Sequence, residues 1–308
     1  MRALKQFIEV ANRQSISKAA DHLYISQPAL SRAIRQLEDS YGVELFSRNG
    51  NGVVLNSYGT ALYGSAVRAV HALDEAQEEI DLLKGCAKAS IRIATGDLWG
   101  LVILPEVIRR FHRVQPDVMV NVSVVDDTSR HEGLRNGIFD IVFGTPWPKY
   151  TGMFTPEFEP LVRQGAYVYC HESHDLAGQK NVQEEDMVGC HWISFGFDED
   201  RVVRRPSVSR RDYAVRADML MHAVPILQGS SMLVSASSGF QSFLGTFGIV
   251  RIGVDAHGLV SASGPIYGPR ALDKHDVRNF LKVTRECVPE CVLSDWPTDL
   301  APENRAPT

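Results

Sequence analysis

The chain has 308 residues, 44% hydrophobic and 22% charged, with a formal net charge of -5. That length points to two or three domains, and that balance excludes a wholly disordered or fibrous chain. No run approaches the roughly 20 apolar residues of a membrane span, and the longest, 98–108, is broken by Pro105 and Glu106. Lys5, Glu9 and Arg13 interrupt the apolar positions a secretory leader needs, so the expectation is a cytoplasmic protein with no membrane partner.

The charge is unevenly divided. Residues 1–60 hold seven basic and five acidic side chains, net +2, which leaves -7 for the remainder. A basic head on an acidic body is the electrostatic footprint of a nucleic-acid-binding module. The five cysteines (Cys86, Cys170, Cys190, Cys287 and Cys291) are odd in number and scattered, which argues for isolated thiols rather than a disulfide framework.

In chain order, Leu4, Phe7, Ile8 and Ala11 recur at helical spacing and predict an amphipathic first helix. Ser17 is placed as the N-cap of a short second helix packed through Ala19, Ala20 and Leu23. Ser26 caps a third helix over 27–41, with Pro28 in the first turn, where its missing N–H costs nothing. Leu30, Ala33, Ile34 and Leu37 share the face of that helix that must be buried; Gln27, Ser31, Arg32 and Arg35 share the other.

Two helices joined by a turn of about three residues, the second presenting Gln, Ser and Arg from its N-terminal end, form the pattern of a helix-turn-helix. Arg forks onto guanine, Gln matches adenine, and Ser takes phosphate or either base. Next, Val43-Glu44-Leu45-Phe46 and Val53-Val54-Leu55 flank Asn49-Gly50-Asn51-Gly52, a strong hairpin signal that predicts a wing with Arg48 at its tip. The candidate contacts to double-stranded DNA are Ser17, Ser26, Gln27, Pro28, Ser31, Arg32, Arg35 and Arg48. Each alone reads as a solvated surface residue; in this order they read as one interface.

From 57 to about 84 there is no proline, and Leu62, Ala66, Ala69, Leu73, Ala76, Ile80 and Leu83 alternate steps of four and three. That 3.5-residue period is a coiled-coil seam. No turn separates this helix from the wing, so its early part is expected to find little of its own chain to pack on and to pair with a second copy. The alternative is a helix lying on its own domain.

Beyond 85–90 the pattern becomes strand–helix alternation: strand 91–94, helix 101–114, strand 118–125, helix 131–136 and strand 140–143. Strands at 166–170, 192–194 and 213–215, a helix at 218–228 and an apolar run at 232–234 follow, then a strand and helix over 265–286. This predicts an α/β body with a mostly parallel sheet and a loose chain after Pro289. Ligands of open α/β sheets settle beyond the carboxyl ends of the strands. The candidate ligand contacts there are Gly96, Asp97, Leu98 and Trp99; Asp127 and Thr128, beside Asp126; Thr145 and Trp147; and Phe195 and Gly196. Three carboxylates with two indole faces point to a neutral polyhydroxylated or cationic small molecule; the alternative is that these Asp side chains cap helices.

His171, His174 and Asp175 lack the spacing of a helical zinc pair, and no Walker loop, dinucleotide fingerprint or nucleophile elbow occurs. No metal, cofactor or catalytic constellation is expected, and the chain does not read as an enzyme.

The run from Leu4 to Gly59 resembles the winged helix-turn-helix of LysR-type transcriptional regulators. It carries Phe7, Ser15-Ile16-Ser17-Lys18-Ala19-Ala20, Leu23, Ser26-Gln27-Pro28-Ala29-Leu30-Ser31, Ile34, Leu37-Glu38, Gly42-Val43-Glu44-Leu45-Phe46-Ser47-Arg48 and Leu55, without gaps. Asn56 stands where that family usually has Thr, and Asn caps a helix equally well. Phe139-Asp140-Ile141-Val142-Phe143-Gly144 and His174-Asp175-Leu176-Ala177 resemble segments of the same family's effector region.

The resemblance implies a winged helix-turn-helix over 1–57 and a dimerising linker helix over 58–85. It implies a two-lobed, periplasmic-binding-protein-like α/β effector domain over 86–291 and a flexible tail over 292–308. Lobe 1 takes about 90–162 and 265–291, lobe 2 about 163–264, with chain crossings near 162–165 and 260–265. It also implies a homodimer or homotetramer on double-stranded promoter DNA and a small-molecule effector between the lobes. RNA polymerase is a further candidate partner, and the control of transcription is by activation or repression.

Overall fold

A computed structural model of the chain describes residues 1–49, 52–85, 88–146, 154–179, 181–196, 211–254 and 261–292. The chain forms two compact units, Met1–Lys88 with Arg135–Ile138, and Ala89–Leu134 with Phe139 onward.

The first unit opens with α1 (Arg2–Arg13), α2 (Ile16–His22) and α3 (Gln27–Tyr41). The α2 cap is Ser15, whose side chain accepts the Lys18 N–H, and not Ser17 as expected. α3 ends at Gly42, which at φ +69° takes the left-handed conformation most side chains resist. The hairpin β1 (Phe46–Asn49) and β2 (Gly52–Leu55) pairs Phe46 with Leu55 and Arg48 with Val53. Its first strand begins later than the apolar run: the Val43 N–H still donates to the Glu38 carbonyl, and the Leu45 N–H donates to the Glu38 carboxylate at 2.8 Å.

Phe7, Leu30, Ile34, Leu45, Phe46 and Val53 are buried together, with the Phe7 and Phe46 rings 5.4 Å apart. Each such side chain contributes about 1.5–3 kcal/mol when fully removed from water.

α4 (Ser57–Leu83) starts at Asn56, whose side chain accepts the Gly59 N–H at 2.9 Å. The early part of this helix does have its own chain to pack on, contrary to expectation. Ala66 is 2% exposed within the head core, Leu62 packs against that core, and Lys5 of α1 pairs with Asp74 at 2.8 Å. The wing turns the chain back so that α4 lies along α1. Only the later seam stays open: Leu73 is 51%, Ile80 45% and Leu83 81% exposed.

In the second unit β3 (Ser90–Thr95) leads through a π-helical turn, Trp99–Ile103, into α5 (Leu104–Val114). Pro105 has no N–H to return to Leu101, and the wider turn bonds the Leu104 N–H to the Trp99 carbonyl instead. β4 (Met119–Val124), α6 (Asp127–Arg135), β5 (Ile141–Gly144), β6 (Glu157–Phe158) and β7 (Val162–Gln164) follow. Next come β8 (Ala166–His171), β9 (His191–Phe195), β10 (Asp212–Ala217), α7 (Leu220–Gln228) and β11 (Leu233–Ser237). The described chain ends with α8 (Gln241–Gly245), β12 (Ile249–Val254), β13 (Ser261–Tyr267) and α9 (His275–Val292).

Two sheets result, ordered β4-β3-β5-β13-β6 and β10-β9-β11-β8-β12. They are mixed, not mostly parallel. β3 runs parallel to β4 and β5, and β9 to β10 and β11, whereas β8 and β13 run antiparallel to their neighbours. Each antiparallel strand follows a return of the chain between sheets, which no single crossover helix reverses. β7 pairs with the first half of β13, Val162 opposite Ser263, where the two crossings were expected. α9 continues through Pro289 to Val292, so the chain stays helical past the point where a loose tail was expected; residues 293–308 lie outside the described chain.

Candidate functional site

In the head, Ser26, Gln27, Pro28, Arg32 and Arg35 are exposed at the start and along one side of α3, while Leu30, Ile34 and Leu37 are buried on the other. The α3 terminus thus offers a polar ridge backed by core. Ser26 is the backbone N-cap, with no side-chain cap hydrogen bond, which leaves its hydroxyl for another partner. Ser31 is half-buried. Ser17, displaced from its expected capping role, donates its hydroxyl to Gln27 Oε1 at 3.1 Å and so ties α2 to the ridge. Arg48 sits within β1 opposite Val53 rather than at the hairpin tip; its side chain lies outside the described residues.

In the second unit a cavity of about 350 Å³ opens beyond the carboxyl ends of β3, β4 and β5 and is closed by residues following β9 and β11. Gly96, Asp97, Leu98, Trp99, Asp127, Thr145, Phe195 and Gly196 all line it. Thr128 does not: it is exposed on α6. Trp147 lies outside the described residues. The Trp99 indole is less a ligand platform than a strut, donating Nε1–H to Ser263 Oγ at 3.0 Å with its ring 4.7 Å from that of Phe143.

Sequence reasoning missed the cavity's one described cation, Arg130. It is 6% exposed, donates Nη1–H to the Val125 carbonyl at 3.2 Å, and pairs with Asp127. The signal was present. α6 begins at Asp127, four residues earlier than expected, and an i,i+3 spacing then brings Arg130 over Asp127. Ser235 and Ser237 reach the cavity from β11 of the second sheet and Gln164 from β7, beside β13, with Ser237 donating to Gln164 Oε1 at 2.6 Å.

The carboxylates divide by role. Burial raises Asp126, but the Ser129 hydrogen bonds, with Arg130 nearby, carry it below its ordinary value as it caps α6. Asp97 is raised, chiefly by burial, against the opposing pull of the Leu220 N–H and the charges of Arg130 and His222. Four carboxylates, Asp97, Asp126, Asp127 and Asp218, face one guanidinium, so a simple anion enters against the local charge.

The discounted groups turn to local partners: His171 Nδ1 lies 2.7 Å from Ser173 Oγ, and His174 Nε2 3.1 Å from the Ser231 carbonyl. Among the described residues no group of three His, Cys, Asp or Glu side chains is disposed to hold a metal ion. Nor is any helix among them long and apolar enough to cross a membrane. Burial pushes the Cys170 thiol up to about 11 and raises Cys190, away from the thiolate a redox switch uses.

Comparison with known proteins matches residues 1–60 to the bacterial regulatory helix-turn-helix protein of the lysR family. Residues 86–216 match the LysR substrate binding domain. The chain is 28% identical to the HTH-type transcriptional regulator GbpR of Azospirillum brasilense over 63% of its own length and 56% of that protein. It is 30% identical to the RuBisCO operon transcriptional regulator of Allochromatium vinosum over 59% of each. These matches thus span less than two thirds of either relative. Among solved structures, CbnR, a LysR family transcriptional regulator, aligns over 93% of this chain and 98% of its own at 19% identity and a TM-score of 0.64. CbnR complexed with its target DNA gives 0.61 at 20% identity, over 93% and 99%. At that identity the structural likeness speaks for the fold; together with the two domain matches it shows that the chain belongs to the LysR family of bacterial regulatory helix-turn-helix proteins.

Proposed function

We propose that the protein is a sequence-specific DNA-binding transcriptional regulator of the LysR type, governed by a small molecule held in the cavity of its second unit. The observation that carries this is the exposed ridge Ser26, Gln27, Pro28, Arg32 and Arg35 at the start of a helix whose opposite face is core, followed by an antiparallel hairpin. A helix so built presents Arg and Gln where base edges in a major groove meet them. CbnR, whose fold the chain shares, has been crystallised with its target DNA. The reading places the protein's work at DNA, in the cytoplasm, with RNA polymerase as a further partner.

The exposed later seam of α4, with Leu73, Ile80 and Leu83 open, supports self-association into a dimer or tetramer. Such pairing sets two heads about one DNA turn apart, or a multiple of it, on a two-fold site. Effector binding then biases one subunit arrangement over another. The charge around the cavity supports a neutral polyhydroxylated or cationic effector.

Footprinting of the full chain on the DNA upstream of its own gene, with and without a panel of small metabolites, tests the proposal. The expected result is a protected two-fold site whose extent changes with one metabolite. A monomer indifferent to promoter fragments at low ionic strength sinks it.

A further inference from the structure

Of three consecutive residues after β3, the first two reach the far side of the cavity and the third is held within the first sheet. Asp97 Oδ2 accepts the Leu220 backbone N–H at 2.6 Å, across 123 residues of sequence. Leu98 lies against Gly239, where a Cβ would stand 2.8 Å from Leu98 Cδ1. Trp99 donates to Ser263 on β13. Leu220 begins α7, which belongs with the second sheet, so Asp97 reaches from one lobe to the other.

The α7 terminus has no cap from its own sequence. Its N-cap is Met219, which supplies no side-chain cap hydrogen bond. A helix start carries unpaired N–H groups and a partial positive charge, and an apolar N-cap leaves both unsatisfied. Helix ends of this kind receive carboxylates and phosphates. Here the carboxylate comes from the protein itself.

We propose that Asp97 is an internal ligand of the cavity. Its carboxylate caps α7 from the opposite lobe, latches the lobes without an effector, and bars an external carboxylate from that helix end. Asp97 is thereby a positioning and specificity-determining residue. Its barring role rests on the cavity being the effector site; the latch does not.

Hydrogen–deuterium exchange of the full chain tests this. Asp97→Ala is expected to speed exchange at least tenfold in the peptide covering the first turn of α7 while leaving α9 unchanged. Asp97→Asn keeps an accepting oxygen and is expected to restore most of the protection. Unaltered α7 exchange in Asp97→Ala overturns the latch. If Asp97→Ala loosens the whole body, Asp97→Asn decides: wild-type-like protection supports the latch, and the same loosening overturns it. In the wild-type chain, sodium acetate is expected to protect α7 no more than sodium chloride at equal ionic strength. Acetate-specific protection there shows the helix end open and overturns the barring role. A chain that failed to bind DNA yet showed the expected exchange would lose the proposed function and keep the latch.

Discussion

The Arg130 guanidinium abuts Gly96 through Nη1, so closely that a Cβ on residue 96 would stand 2.6 Å from that nitrogen. Gly144 borders the same group, with its Cβ position 3.4 Å from Nη2. Among the described residues the only buried cation of the cavity is therefore seated beside two stretches of bare backbone, and its position requires the missing Cβ of Gly96. Gly96→Ala is expected to push the guanidinium off its Val125 and Asp127 partners. Overpacking of this kind costs about 1–3 kcal/mol. Urea denaturation measures the loss, and a variant as stable as wild type would mean that Arg130 swings aside freely.

Asp140 joins elements far apart in the chain: it lies 3.2 Å from Arg92 Nη2 on β3 and 2.7 Å from Lys274 Nζ just before α9. Burial alone raises its carboxyl, and Arg92 and Lys274 more than reverse this, holding it below the ordinary carboxylate value. A depressed folded-state value means the stabilisation is present above the unfolded value and is lost as pH falls through the folded one. Asp140→Asn is expected to cost on the order of 3 kcal/mol at neutral pH, since it removes the buried charge that holds Arg92 and the more exposed Lys274. The gap to wild type should close below about pH 4. Denaturation curves across that range check both; a gap independent of pH would refute the ionic origin.

Along α4 the same substitution should act differently at its two ends. Ala66→Asp places a charge inside the head core and is expected to unfold the head, at several kcal/mol. Ile80→Asp alters an exposed seam position and should leave the melting of the head unchanged while shifting the chain toward monomer. Analytical ultracentrifugation with circular dichroism separates the two outcomes. A dimer that survives Ile80→Asp would place the pairing surface elsewhere.

On DNA, Gln27→Ala or Arg35→Ala should weaken binding to the specific site by about 1–3 kcal/mol each while sparing random sequence. Arg48→Ala should weaken both alike and flatten the salt dependence. Mobility shifts over a salt series distinguish these patterns, and equal loss on both DNAs for all three variants would refute the division.

Much of this protein is short-range and so legible in the chain itself. α3 spans 27–41 as expected because its start and stop are written locally, in Pro28 and Gly42, and its apolar period is complete within fifteen residues. The loops beyond the strands of the body likewise follow from strand order, which is why most of the expected effector contacts share one cavity. Tertiary structure alone decided the rest. Leu62 and Ala66 have seam spacing whether they meet a second copy or α1, and only the turn-back at the wing sends them into the head core. Asp97 reads as an open ligand carboxylate until α7, 123 residues later, is folded against it. Periodicity and caps act within a turn or two of helix, whereas a contact between distant segments exists only once the whole chain has brought them together.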